Sequence, residues 1–296
     1  MHKKIIFVGG TARSGSTLLD MILSNDPKAM SLGEIIALFQ PTRKHHFEEI
    51  KKLKTYSVWN KILKDGEKRL YHNLNKYFPD INIYVDSSKD PFWFKYHSTI
   101  NKDEFDIRNI LIYKNPYELA NSFIKRGKNE AWIHNYIHYH RKYFSLTEDF
   151  VTIAYKDLIN IPIALEMLCR IIGIQYTPTK VNYWERDQTT FFGSNSVKSH
   201  NATNAKKQIK NQTRRDLIYD EVKDDNLFHA VNSILENKPE ISLIENHLIK
   251  FNVLEKSEND FETISYDKIT LLWYYIKQLI KRKLRYYFPV DIFKNA

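Results

Sequence analysis

Residues 10 to 19 read Gly10-Thr11-Ala12-Arg13-Ser14-Gly15-Ser16-Thr17-Leu18-Leu19. Small residues let backbone amides turn inward and face an anion, and the helix that follows aims its unpaired N–H groups and positive dipole end at the same point. Ser14, Ser16 and Thr17 supply hydroxyl donors, Gly15 gives the chain room to turn, and Arg13 brings a fixed positive charge. This is chemistry for a phosphate. A second set of donors lies at Tyr113-Lys114-Asn115-Pro116, followed by Ser122 and Lys125-Arg126-Gly127. Pro116 is suited to the first turn of a helix. A cation at a strand end and a hydroxyl one to two turns into the next helix can share one phosphate, although Lys114 is also readable as a solvated strand end.

A nucleoside triphosphatase loop ends in Gly-Lys-Ser/Thr, and here no lysine precedes Ser16-Thr17. The string Thr-x-Arg-Ser-Gly-Ser-Thr-Leu-Leu instead resembles the 5′-phosphosulfate loop of sulfotransferases that use 3′-phosphoadenosine 5′-phosphosulfate (PAPS). That resemblance implies a P-loop-like α/β fold, PAPS as co-substrate with no metal, and a 5′-phosphate held by residues 13 to 17. The family's second phosphate element is typically Arg-Asp-Pro with a Ser six residues after the Pro. Here Lys114 and Asn115 stand for the Arg and Asp, and Ser122 keeps its place. Lysine is a point charge without the arginine fork, so the 3′-phosphate is expected to be held less tightly, or with help from Arg126.

Sulfuryl transfer needs a base for the acceptor's proton and a cation for the leaving phosphate oxygen. Glu34, in Ser31-Leu32-Gly33-Glu34, is the candidate base. A carboxylate beside a cationic phosphate site stays ionised, and the Gly-Glu placement is similar to that of tyrosylprotein sulfotransferases. The plain alternative is a surface glutamate opening a helix. Lys89, in Asp86-Ser87-Ser88-Lys89-Asp90-Pro91-Phe92, is the candidate stabiliser. It falls at a strand end, where open α/β sheets bind ligands, and the string resembles both tyrosylprotein and bacterial sulfotransferases. The alternative there is a capping Ser/Asp cluster with an incidental lysine. The family often folds a late polar loop over the nucleotide, and by that likeness Ser196 and Lys198 are weaker binding candidates. The resemblance covers about residues 3 to 216, unevenly.

The elements that must position these groups are legible as pattern. Ile5 to Val8 is a continuous apolar run, as in a strand covered on both faces. Thr17 to Leu23 opens a helix. Ile81 to Val85, Asn109 to Tyr113 and Phe150 to Ala154 read as further strands, separated by helical segments. Trp132, Tyr136, Tyr139 and Tyr143 share one helix face and read as a core stripe. The expected architecture is a P-loop-like three-layer α/β fold: a central parallel sheet, helices on both faces and a C-terminal helical extension. Residues 1–255 are expected to form the nucleotide-binding domain and 256–296 the extension. Residues 185 to 213 read as a polar loop or lid, with two or three helices after it.

The extension carries Trp273, Tyr274, Ile276, Ile280 and the basic string Lys281-Arg282-Lys283-Leu284-Arg285. Such a helix either packs on the domain or lies in an anionic membrane interface. The chain has 296 residues, 43% of them hydrophobic, and a formal charge of +10. Apolar content at that level builds a core and excludes a disordered chain. The charge suits polyanions, yet no nucleic-acid motif appears, and none is expected as partner. One cysteine, Cys169, leaves no intrachain disulfide and fits a reducing, cytoplasmic setting, peripheral to a membrane at most. His134 and His138 are four apart without the carboxylate pattern of a zinc helix. Two other readings remain open from the residues alone. One is a kinase with an altered loop, which would need magnesium and a triphosphate. The other is a non-catalytic nucleotide-binding protein, which would have no use for Glu34 and Lys89.

Overall fold

The computed structural model describes residues 3–128, 130–147, 149–186, 190–193 and 223–255, together with residues 273, 276 and 280. Five parallel strands form one sheet in the order β2-β3-β1-β4-β5. They are β1 (Lys4–Gly9), β2 (Ala29–Gly33), β3 (Ile83–Asp86), β4 (Asp106–Tyr113) and β5 (Phe150–Ala154). All five end at the same edge of the sheet, because all run in one direction.

Both faces are covered. Alternate side chains of a strand point to opposite faces, so Ile5 and Phe7 enter one apolar cluster while Ile6 and Val8 enter another. All four are fully buried, each contributing about 1.5–3 kcal/mol relative to exposure. The face of Ile6 and Val8 is covered by helices α1 (Ser16–Leu23), α9 (Tyr155–Asn160) and α10 (Pro162–Ile171), with Cys169 in that core. Against Ile5 and Phe7 lie α2 (Ile36–Phe39), α3 (Lys44–Leu53), α4 (Ser57–Asp65), α5 (Leu70–Tyr77), α6 (Pro91–Asn101), α7 (Pro116–Ile124) and α8 (Ala131–Leu146). Helices α11 (Asp225–Asn237) and α12 (Pro239–Lys250) add to the same cluster, α11 against α7 and α12 against α8.

The edge strand β5 is bridged at its middle residue by the chain after α12. Thr152 donates its N–H to Phe251 O at 2.9 Å and accepts from Val253 N–H at 3.0 Å. Such a bridge covers part of an otherwise open sheet edge.

Three strands depart from the pattern read in the sequence. β3 begins two residues later than Ile81, and β4 begins three earlier than Asn109, at Asp106, where it pairs with Lys4 of β1. β2 has no counterpart among the strands expected. Its sequence, Ala-Met-Ser-Leu-Gly, lacks β-branched residues, and a register break at Ser31–Gly33 interrupts its alternation. The aromatic stripe of α8 is buried at Trp132, Tyr136 and Tyr143. Ser196, Lys198 and most of the expected lid lie outside the described residues, as does most of the C-terminal extension. Trp273, Ile276 and Ile280 are helical, and their side chains are exposed. No helix of the described residues is long and apolar enough to cross a membrane.

Candidate active site

The phosphate loop joins the buried end of β1 to α1. Gly15, the residue before α1, has φ +103°. A Cβ there would approach the Tyr155 ring to 2.5 Å, so glycine satisfies both the backbone and the packing. Arg13 also takes a left-handed conformation, φ +75°. Ser14 Oγ is fully buried with no hydrogen-bond partner among the described residues. A buried hydroxyl left unpaired costs stability, and a phosphate oxygen is the kind of partner that would offset it.

Arg13 reaches across to the second element, where its Nε donates to Ser122 Oγ at 3.4 Å. Burial lowers the guanidinium pKa, and Arg126 lowers it further. Lys114 lies with its ammonium 4.2 Å from the centroid of the Tyr155 ring. Burial pushes its pKa down to about 8; Glu118 opposes this, while Arg13 and Lys125 add to it. The structure thus brings Arg13 to Lys114 and Ser122, about a hundred residues further along the chain, within the influence of Lys125 and Arg126. Their mutual repulsion is what an anion relieves. Asn115 starts α7 with a reciprocal cap: its Oδ1 accepts from Glu118 N–H at 2.9 Å and its own N–H donates to Glu118 Oε2 at 3.2 Å. Asparagine performs that capping role, so the Asp-to-Asn departure leaves the helix start intact.

The other two candidates meet directly. Lys89 Nζ donates to Glu34 Oε1 at 2.5 Å, with side chains 22% and 30% exposed, so the pair is open to a ligand on one side. Glu34 follows β2, and its backbone N–H donates to Phe191 O at 2.7 Å. Lys89 follows β3 with φ +62°, a costly conformation for a residue with a Cβ. The segment around it is held from several sides. Asp86, fully buried, accepts from Tyr71 O–H at 2.5 Å, Trp93 Nε1–H at 2.7 Å and Ser88 N–H at 2.8 Å. Burial raises the Asp86 pKa, and these donors oppose the rise. Ser88 Oγ accepts from Ile36 N–H at 3.1 Å, and Ser87 N–H donates to Gly33 O at 2.9 Å. Asp90 caps α6 by accepting from Phe92 and Trp93 N–H, with Pro91 at the first helical position.

Two groups were not visible as site residues in the sequence. Tyr139 looked like one more rung of a core stripe, yet its hydroxyl accepts from Gly10 N–H at 2.7 Å in the phosphate loop. One turn on, Lys142 Nζ lies 3.7 Å from Asp90, next to Lys89. Helix α8 therefore braces the phosphate loop and the Lys89 segment together. The segment 190–193, part of the stretch read as a polar loop or lid, joins them. Its Phe191 carbonyl holds Glu34 N–H, and Gly193 lies so close to Thr17 that a Cβ would meet Thr17 Oγ1 at 2.9 Å. Aspartates and tyrosines that make these contacts have no local sequence signal, because their partners are distant in the chain. His134 and His138 stack at 5.1 Å between ring centroids, and no cluster of three His, Cys, Asp or Glu among the described residues is arranged to hold a metal.

No family model matches the chain, and no curated protein matches it. Among solved structures it is similar to the sulfotransferase domain of the olefin synthase from Synechococcus PCC 7002. The identity is 17%, the TM-score 0.52, and the match covers 79% of this chain and 94% of that one. The chain has the sulfotransferase fold. A sulfotransferase domain from the curacin biosynthetic pathway is similar at 17% identity over 79% of this chain and 98% of that one, with a TM-score of 0.48, and the assignment rests on the former. In the sulfotransferase fold as this chain builds it, the phosphate loop, Glu34, Lys89 and Lys114 all follow C-terminal ends of strands. That is the edge where open parallel sheets bind ligands.

Proposed function

We propose that the chain transfers a sulfuryl group from PAPS to a hydroxyl or amine of an acceptor such as a glycan, lipid or peptide. The observation that carries this reading is the Lys89–Glu34 pair, a base and a cation in direct contact at the sheet edge that also bears the phosphate loop. A passive nucleotide binder has no evident need for that pair, and the loop's want of a lysine before Ser16-Thr17 speaks against a kinase, which would use a base and a cation as well.

The donor supplies the sulfuryl group and a good leaving phosphate, and the chain's residues supply the rest. The unpaired Ser14 hydroxyl and the backbone amides at the start of α1 suit the 5′-phosphate. Arg13, Lys114 and Ser122 suit the 3′-phosphate, and their contact draws Arg13 toward that second element. Glu34 takes the acceptor's proton as the acceptor oxygen or nitrogen bonds to sulfur. Lys89 neutralises the charge left on the phosphate oxygen as the old S–O bond breaks. For Lys89 to do so it exchanges Glu34 for that oxygen, and Glu34 is released to act as base. Incubation with sulfur-35-labelled PAPS and a panel of glycans, lipids and tyrosyl peptides is the test. Label in an acceptor supports the reading. Magnesium-dependent transfer from γ-labelled ATP in its place would establish the kinase.

Nucleotide binding should be strongly pH-dependent. Free Lys114 loses its proton near pH 8, and a phosphate beside it would raise that value. Below pH 8 lysine is charged in both states and affinity is flat. Above it, binding must take up a proton, and affinity for adenosine 3′,5′-bisphosphate should fall by up to about tenfold per pH unit. Calorimetry from pH 7 to pH 9.5 measures this. Lys114→Arg should remove the slope, because arginine stays protonated throughout. A flat wild-type profile would place Lys114 away from the phosphate.

A further inference from the structure

Asp20 is the fifth residue of α1 and has no exposed surface. Its neighbours Leu19, Met21, Ile22 and Leu23 are all buried and apolar, and a carboxyl group among them is costly unless it is fully hydrogen-bonded. Burial pushes its pKa up to about 7; hydroxyls of Ser31, Ser87 and Ser24 work against that rise, and Asp86 adds to it. The partners are specific. Oδ2 accepts from Gly33 N–H at 3.1 Å and from Ser87 O–H at 2.6 Å, and Oδ1 accepts from Ser24 O–H at 3.3 Å.

Two of those donors bracket the reacting groups. Gly33 is the residue before Glu34, and Ser87 lies two residues before Lys89. The register break at Ser31–Gly33 marks where β2 departs from regular pairing with β3, and Asp20 satisfies the Gly33 N–H there. One oxygen atom thus ties the end of β2 to the end of β3, and it does so from the helix whose first turn borders the phosphate loop.

We propose that Asp20 is a positioning residue that sets the Glu34–Lys89 spacing and registers that pair against the phosphate loop. It touches neither nucleotide nor acceptor, and it acts through Gly33 and Ser87. The geometry stands on the structure alone, while the reaction it serves rests on the sulfotransferase reading. Asparagine can present one oxygen to Gly33 and Ser87 and turn its amide toward Ser24, so Asp20→Asn should keep the positioning. Asp20→Ala removes every strut, and Ser87→Ala removes one of the two.

The test uses the full chain with nitrogen-15-labelled lysine. The Lys89 ammonium resonance, assigned with Lys89→Arg, reports its pairing with Glu34 without any turnover. The resonance should keep its wild-type position in Asp20→Asn and be shifted or lost in Asp20→Ala and Ser87→Ala. Sulfuryl transfer from labelled PAPS should fall by about tenfold or more in Asp20→Ala, with affinity for adenosine 3′,5′-bisphosphate within threefold of wild type. A folded Asp20→Ala protein with the wild-type resonance would overturn the proposal. If Asp20→Ala does not fold, an unchanged resonance in Ser87→Ala does the same. Equal loss in Asp20→Asn and Asp20→Ala would also contradict it, since rescue by the isosteric acceptor would then be absent. A wild-type chain that binds no adenosine 3′,5′-bisphosphate, while the resonance responds as expected, would sink the sulfotransferase reading and leave the positioning role standing.

Discussion

Glu34→Gln should lower sulfuryl-transfer turnover by about 10²–10⁴-fold, the usual worth of a positioned general base. Glutamine keeps the size of the side chain and can still accept from Lys89, but it cannot hold the acceptor's proton. Nucleotide affinity should be unchanged or improved. In the wild-type chain Lys89 Nζ is engaged with Glu34 Oε1 at 2.5 Å, and weakening that pair leaves the ammonium more available to a phosphate oxygen. Lys89→Ala should lose about 10²–10³-fold by removing charge stabilisation at the leaving oxygen, again with nucleotide still bound through the Arg13 and Lys114 side. Single-turnover transfer from labelled PAPS, paired with calorimetric titration of adenosine 3′,5′-bisphosphate, separates these effects. Full activity in Glu34→Gln would move the base elsewhere. His46 would be the first group to examine, since it feels the charge of Glu34, and burial keeps its ring pKa below the ordinary value.

Gly33→Ala should be nearly as damaging without removing any functional group. Gly33 has φ +57°, a conformation that costs an L-residue about 1–2 kcal/mol. A Cβ there would lie 2.0 Å from Phe191 O and 2.6 Å from Thr190 Oγ1. The segment 190–193 must therefore move, and it is the segment whose Phe191 carbonyl holds Glu34 N–H. A shift of that size in Glu34 should cost turnover about 10²-fold. Gly66→Ala is the control for backbone strain without a clash. Gly66 has φ +81°, and nothing lies within 4 Å of the Cβ it would gain. It should lose stability in chemical denaturation through that strain and keep its turnover. Equal turnover in the two variants would mean that the 190–193 contact does not position Glu34.

What the sequence discloses follows from how local each feature is. β1 and β5 are short apolar runs flanked by breaks, and their burial on both faces is written in composition. The loop from Gly10 to Gly15 is legible because an anion cradle needs small residues and hydroxyls in succession. Lys114, Ser122 and Arg13 are legible as types, while their convergence is a product of strand order: β1 and β4 are neighbours in the sheet although long segments separate them in the chain. β2 is not legible in the sequence because its pairing with β3, rather than β-propensity, makes it a strand. Asp20 has no local signal of its own, and only the folded chain shows its buried partners. Tyr139 followed helical spacing so well that its contact with Gly10 was hidden within a core pattern. Long-range hydrogen bonds between backbone atoms, such as that from Glu34 N–H to Phe191 O, leave no trace in residue type at all.

Competitive calorimetry of adenosine 3′,5′-bisphosphate against ATP and AMP is the most direct test of a donor built on two separate phosphate contacts. The loop at Ser14 to Thr17 and the cluster of Arg13, Lys114 and Ser122 suit one phosphate each, so the bisphosphate should bind more tightly than either competitor, without magnesium. Charge-to-neutral replacement at Lys114, as in Lys114→Met, should erase most of its advantage over AMP. ATP binding as tight as or tighter than the bisphosphate would contradict the sulfotransferase reading and return the kinase, and an affinity ratio unaffected by Lys114→Met would place Lys114 away from the phosphate.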